Sequence, residues 1–160
     1  MIYTLTLSPS IDYYLILNEL KLGKINRSQT EYIRIGGKGI NVSKVLKELD
    51  VKSIPVLLTA GFTKDKILED LDNQEFNYHN IDVNGINRIN VKIQAEEETA
   101  INTNGLFISD FHIDKIIDYL KRSKSIGVKV SAIEFSDDKG VYDTIYVKNI
   151  DDFYNAHHKL

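Results

Sequence analysis

Apolar and polar positions divide this chain into short strands and helices in alternation. Ile2 to Leu7 is β-branched and aromatic and predicts a strand, which Ser8-Pro9-Ser10 breaks. Tyr13 to Leu17 is a second apolar run, Leu22-Gly23-Lys24 a turn, and Thr30 to Ile35 a further strand that ends on glycines. Within Val42 to Val51, the residues Val42, Val45, Leu46 and Leu49 recur at i, i+3, i+4, i+7, which predicts a helix burying those four side chains. Ser53 to Leu58 predicts an interior strand. Ala60-Gly61-Phe62-Thr63 predicts a loop with Thr63 as N-cap, followed by a helix that packs Ile67, Leu68 and Leu71.

Asn84-Gly85 signals a tight turn. After it Ile89, Val91 and Ile93 alternate with Asn90, Lys92 and Gln94, the pattern of a half-buried strand. Ala95 to Glu98 turns the chain and Thr99 to Asn102 returns it as a hairpin. Ser109 then caps a helix with Ile113, Ile116, Ile117 and Leu120 on one face. Strands alternating with helices, plus an extra hairpin, predict an α/β sheet with a β appendage. Residues 123–160 predict two strands, Val128 to Phe135 and Val141 to Val147, around a turn at 136–140, with a short helix opening near Asn149.

Composition narrows the classes. A chain of 160 residues can bury a real core as one domain, and its 42% hydrophobic and 27% charged residues are ordinary for a globular protein. The net charge of −3 argues against a broad nucleic-acid surface, so any anion site must be local. No apolar run reaches membrane-spanning length, and the N-terminus lacks a charged leader pattern. With no cysteine, disulfides and thiolate metal sites are excluded, and a cytoplasmic location is expected.

Gly36-Gly37-Lys38-Gly39-Ile40-Asn41 is the segment richest in chemistry. Glycines let a ligand approach the main chain, a helix opening after them presents N–H groups, and Lys38 adds a mobile positive charge. Together they predict a polar, phosphorylated small molecule at a strand-to-helix turn. The spacing matches neither a Walker loop nor a dinucleotide fingerprint. A plain packing turn is the alternative. Asp12 can accept hydrogen bonds from two adjacent sugar hydroxyls, or form an Asx-turn. Arg88 can fork onto a phosphate, or stand solvated; Lys24, Arg27 and Lys92 are weaker candidates of that kind. Glu96-Glu97-Glu98 reads as a solvated turn, His157-His158 lies near the C-terminus, and His79 and His112 have no partner in sequence.

These pieces, in this order, resemble the PfkB, or ribokinase-like, carbohydrate kinases and, among them, the 1-phosphofructokinase type. The matching text is Met1-Ile-Tyr-Thr-Leu-Thr-Leu-Ser-Pro-Ser-Ile-Asp12, Leu22-Gly-Lys-Ile-Asn-Arg27, Gly36-Gly-Lys-Gly-Ile-Asn-Val-Ser43, Ala60-Gly-Phe-Thr63, Arg88-Ile-Asn-Val-Lys92 and Glu97-Glu-Thr-Ala-Ile-Asn102. The resemblance covers residues 1–122, the N-terminal half of such a kinase, and leaves 123–160 unmatched. Tagatose-6-phosphate kinases share its first part.

The resemblance implies a ribokinase-like partial sheet with flanking helices and a small β lid. It implies that Asp12 binds sugar hydroxyls, that Gly36, Gly37 and Asn41 contact the sugar, and that Lys38 and Arg88, with help from Lys24, lie near its phosphate. Two copies would pair through the lid. The family uses ATP and magnesium, but its Gly-Ala-Gly-Asp motif, which supplies the catalytic base and an anion hole, does not occur in this sequence. No cofactor is therefore expected for this chain alone, and no phosphoryl transfer. The partner expected is a small sugar phosphate, neither nucleic acid nor membrane. A truncated 1-phosphofructokinase, a non-catalytic sugar-phosphate sensor and a kinase-interacting module all remain open.

Overall fold

The computed structural model describes residues 2–122, 133–136 and 142–145. Its centre is a three-stranded parallel sheet in the order β1 (Ile2–Thr6), β4 (Ser53–Thr59), β5 (His79–Asp82). Alternation along β1 sends Tyr3, Leu5 and Leu7 to one face and Thr4 and Thr6 to the other. The apolar face, joined by Val56 and Leu58 of β4, packs on α3 (Asp110–Arg122) through Ile113, Ile116, Ile117 and Leu120. On the opposite face, Leu57 packs with Ile40 of α1 (Lys38–Glu48) and with Ile67 and Leu71 of α2 (Gly61–Asn73). Helices thus cover both faces of the sheet, and the central strand β4 is buried from Pro55 to Thr59.

A second, four-stranded sheet forms the lid. Its order is β3 (Thr30–Gly36), β2 (Ser10–Ile16), β6 (Arg88–Gln94), β7 (Glu98–Ile101). β2 runs antiparallel to β3 and parallel to β6, and β6 and β7 form the expected hairpin. The lid is anchored to the main body where Ile11 and Ile35 enter the α1/α2 core, with Ile89 packed against it. β8 (Ile133–Ser136) overlaps the first predicted late strand and takes in Ser136, read as the start of the turn, while β9 (Tyr142–Ile145) lies within the second; the two pair antiparallel with each other. The rest of the predicted turn and the helix near Asn149 fall outside the described residues.

Several expectations are corrected. The helix after the glycines begins at Lys38, and it buries Gly39, Ile40 and Ser43 rather than Val42, Val45 and Leu49. Those three are 37%, 59% and 65% exposed, and Leu46 is intermediate. The cause is close approach. A Cβ on Gly39 would meet the Leu5 carbonyl carbon and Thr6 Oγ1, each at 2.6 Å. Only the small-residue face lets α1 lie directly on the β1 backbone. Polar contacts seal it: Thr4 Oγ1 and Ser43 Oγ share a 2.6 Å hydrogen bond, and Ile40 N–H donates to Thr6 Oγ1 at 3.0 Å.

Thr63 is not an N-cap. α2 already starts at Gly61, with Ala60 in the cap position. The Thr63 hydroxyl instead donates to Ala60 O and accepts the Asn87 N–H. Asn87 is fully buried, its Oδ1 taking the Ala60 N–H and its Nδ2 donating to Leu58 O. This web ties the β4–α2 junction to the segment leading into the lid. Asn84-Gly85, read as a tight turn, makes a bend on the way from the parallel sheet to the lid, and the strand before it, β5, is unforeseen.

Candidate functional site

The site lies where the base of the lid meets the N-terminus of α1. Registry brings it together: Ser10 stands opposite both Gly36 and Arg88, and Asp12 opposite both Arg34 and Asn90. Cross-strand partners share a face, so Ser10, Asp12, Gly36, Arg88 and Asn90 line the same side of the lid. Asp12 is the third residue of β2, so the Asx-turn alternative does not apply.

The Asp12 carboxylate is held from one side. Its Oδ1 accepts from Ser10 Oγ at 2.9 Å and from Asn90 Nδ2 at 2.7 Å. A side chain at Gly36 would reach within 2.8 Å of Oδ2 and 2.6 Å of Ser10 Oγ, so glycine there keeps the carboxylate uncovered from the β3 side. Gly37 has φ of 130°, a conformation that side chains rarely adopt, and a Cβ on it would press to 2.5 Å from Thr6 Cγ2. It stands in the cap position of α1 without a side-chain cap, and the first turn of that helix has no acidic residue. The positive end of the helix is therefore not neutralised by a carboxylate of its own first turn.

Of the predicted residues, Lys38 opens α1 and Asn41 lies in its first turn, both exposed. Arg88 starts β6 and is half-buried. Lys24 is placed apart: it is exposed on the loop 17–29, which joins the end of the β2–β3 hairpin opposite Gly36, and the described contacts do not join it to Asp12. Lys92 donates to Asn102 Oδ1 across the hairpin. His112, read as partnerless, contacts Ser109 through its Nδ1 at 3.1 Å from Oγ.

Sequence reasoning missed Ser10, as part of a chain break, and Asn90, as an outward polar residue of a half-buried strand. Asn90 is instead 5% exposed, and its Oδ1 is buried without a hydrogen-bond partner, as is the Oγ of Ser8, which precedes Ser10 in the chain. A buried polar atom left unpaired costs about 1–3 kcal/mol, so such atoms mark places where a ligand or water is accepted. Two polar residues facing each other across parallel strands were the available signal, but it needs the β2–β6 pairing to be seen.

Perturbed titrations lie elsewhere. The Lys64 hydrogen bond at 2.5 Å holds Asp82 below the usual carboxylate range, burial pushes the Tyr78 hydroxyl up, and burial pushes His79 down. A surface cleft lined by Lys47, Val51, Ile54 and Phe76 sits at the amino end of β4, away from Gly37. Open α/β sheets take ligands at the carboxyl ends of their strands, which favours the Gly37 end. Among the described residues there is no cluster of metal-ligating side chains, and no helix is long and apolar enough to cross a membrane.

No family model matches the chain. It is 42% identical over 110 residues to a 1-phosphofructokinase of Bacillus subtilis (strain 168), which covers 69% of this chain and 36% of that protein. A D-tagatose-1-phosphate kinase of Bacillus licheniformis is 32% identical over 122 residues, 76% of this chain and 40% of that one. The structure of a putative phosphofructokinase from Staphylococcus aureus superposes with a TM-score of 0.70 at 40% identity, over 76% of this chain and 40% of that chain. Over the part that matches, the chain is similar to kinases of the PfkB, ribokinase-like carbohydrate kinase family. It spans about 40% of the length of the relatives it matches. The α/β body with its β lid is thus a portion of that family's fold, and the expected fold class holds.

Proposed function

We propose that this chain carries the sugar-phosphate side of a 1-phosphofructokinase-type site and binds a ketohexose 1-phosphate, fructose 1-phosphate first among them. The observation that carries the reading is the Asp12 carboxylate, fixed on Oδ1 by Ser10 and Asn90 and left uncovered beside Gly36. A carboxylate so held accepts ligand hydroxyls, and it repels a phosphate. The phosphate then takes the other end of the site, where Gly37, Lys38 and Asn41 open α1 and Arg88 starts β6 opposite Ser10. Names of relatives support the ligand class, since both 1-phosphofructokinase and D-tagatose-1-phosphate kinase name a ketohexose 1-phosphate.

The same reading has the chain bind without transferring phosphate. Phosphoryl transfer needs a base and charge stabilisation at the moving group, and the Gly-Ala-Gly-Asp motif that supplies them in the family does not occur in the sequence. Self-association through the lid belongs to the reading as well. Ile33, Tyr13, Val91 and Ile101 form an apolar row across all four strands on the face opposite Asp12, with Ile33 and Ile101 about half exposed.

Titration with fructose 1-phosphate, followed by thermal unfolding, tests the binding. At a hundredfold excess over the dissociation constant, a bound ligand adds about 2.7 kcal/mol of stability. Asp12→Ala should abolish the shift, and absence of a shift in the wild-type chain overturns the reading. In the same samples with ATP and magnesium, no turnover is expected; turnover that Asp12→Ala removes would refute the binding-only part.

A further inference from the structure

We infer that Asn90 is a further ligand-contacting and positioning residue of this site: its Nδ2 fixes the Asp12 carboxylate, and its Oδ1 takes a second hydroxyl of the ligand. The acceptor role rests on the sugar-phosphate reading above, whereas the positioning role does not. Asn90 stands opposite Asp12 in the β2–β6 register and is 5% exposed, so its amide is settled by protein contacts rather than by bulk water. Its orientation follows from charge. Turning the amide over would bring its oxygen against Asp12 Oδ1 at 2.7 Å, two acceptors face to face, so Nδ2 is the atom that meets the carboxylate. That leaves Oδ1 buried with no donor, on the lid face it shares with Ser10, Asp12 and Arg88.

The consequence is a demand on the ligand. Asp12 Oδ1 is already served by Ser10 and Asn90, so the acceptors left for a ligand are Asp12 Oδ2 and Asn90 Oδ1. Both accept, and neither can donate. A ligand that satisfies them brings two donors close together, as two neighbouring hydroxyls do; a phosphate, which brings none, is turned away from Asp12 and Asn90 and towards the helix start and Arg88. Asn90 therefore selects for hydroxyl pattern in addition to holding Asp12 still.

Two measurements separate the roles. In the ligand-free chain, the Asn90 side-chain amide proton that meets Asp12 should resonate downfield and exchange slowly by NMR, and Asp12→Ala should abolish both signatures. An amide spectrum unmoved by Asp12→Ala overturns the positioning role. Calorimetry then compares fructose 1-phosphate with its 3-deoxy and 4-deoxy analogues on the wild-type chain and on Asn90→Ala. The wild type should bind one analogue about tenfold more weakly than the parent, the loss of one hydrogen bond to a buried acceptor. Asn90→Ala should bind the parent and that analogue equally, the tenfold difference gone, on top of whatever common loss the freed Asp12 carboxylate adds to all three ligands. A uniform loss for all three ligands in Asn90→Ala that leaves the tenfold difference in place, or no loss, overturns the acceptor role. Should Asn90→Ala not fold, Asn90→Ser carries the same comparison. If the wild-type chain binds none of the three, the functional reading and the acceptor role fall together, while the amide spectrum still decides whether Asn90 holds Asp12.

Discussion

Gly39→Ala separates helix propensity from tertiary packing with opposite signs. In an exposed helix interior, replacing glycine by alanine stabilises by about 1 kcal/mol. Gly39 is buried on β1, where a Cβ would come within 2.6 Å of both the Leu5 carbonyl carbon and Thr6 Oγ1. Ordinary contact starts at 3.4 Å, and the nearer obstacle is strand backbone, which has no rotamer to give. The helix must withdraw by nearly an ångström, and overpacking of this kind costs about 1–3 kcal/mol. Withdrawal also stretches the Ile40 N–H to Thr6 Oγ1 bond and the Thr4–Ser43 bond, both buried, at about 1 kcal/mol each. The expected net is a loss of about 2–4 kcal/mol, read as a lower urea midpoint at unchanged slope. Gly37 and Lys38 move with the helix start, so ligand affinity should fall as well. A Gly39→Ala chain as stable as wild type, or more so, would refute the direct seating of α1 on β1 and with it the account of why Val42, Val45 and Leu49 face outward.

Three other outcomes follow from the packing. Asn87→Ala leaves the Ala60 N–H and the Leu58 carbonyl without their buried partner and should cost about 2–4 kcal/mol in urea unfolding, whereas an effect below about 0.5 kcal/mol would contradict the web described around α2. Val45→Lys and Leu49→Lys should each change stability by no more than about 0.5 kcal/mol, since both positions are more than half exposed; a loss of about 2 kcal/mol or more would mean that they face the core. His79 stacks on Tyr119 with ring centroids 3.5 Å apart, and burial lowers its pKa from 6.5. Between that lowered value and 6.5 the unfolded chain binds more protons than the folded one. Stability is therefore fully present above about pH 6.5 and declines as pH falls below it. Melting temperatures across pH 5 to 7.5 should show this slope in the wild type, and it should flatten in His79→Phe.

Much of the architecture was legible in the chain because local pattern and tertiary role agree. The alternation in Ile2 to Leu7, the apolar run of β4, the Ile113-Ile116-Ile117-Leu120 stripe of α3 and the 88–101 hairpin each carry the period of the element they form. α1 misled because its period has two solutions. The large residues Val42, Val45 and Leu49 mark one face and Gly39, Ile40 and Ser43 another. Hydrophobicity favours the first, but the second is chosen by how closely a helix must approach a strand. Thr63 misled for a related reason: a hydroxyl near a helix start is an N-cap by local rules, yet here it serves Asn87, distant in sequence.

The sequence by itself determined which residue types are available for the site: a carboxylate at position 12, backbone without side chains at 36 and 37, and cations at 38 and 88. These follow from residue chemistry, which does not depend on the fold. Only the tertiary structure decided which of them meet. The parallel pairing of β2 with β6 joins residues 78 positions apart and places Asn90 against Asp12, while the same hairpin carries Lys24 to its other end. Strand register across sheets is fixed by the packing of Ile11 and Ile35 into the α1/α2 core, a long-range constraint that no local window of the chain contains.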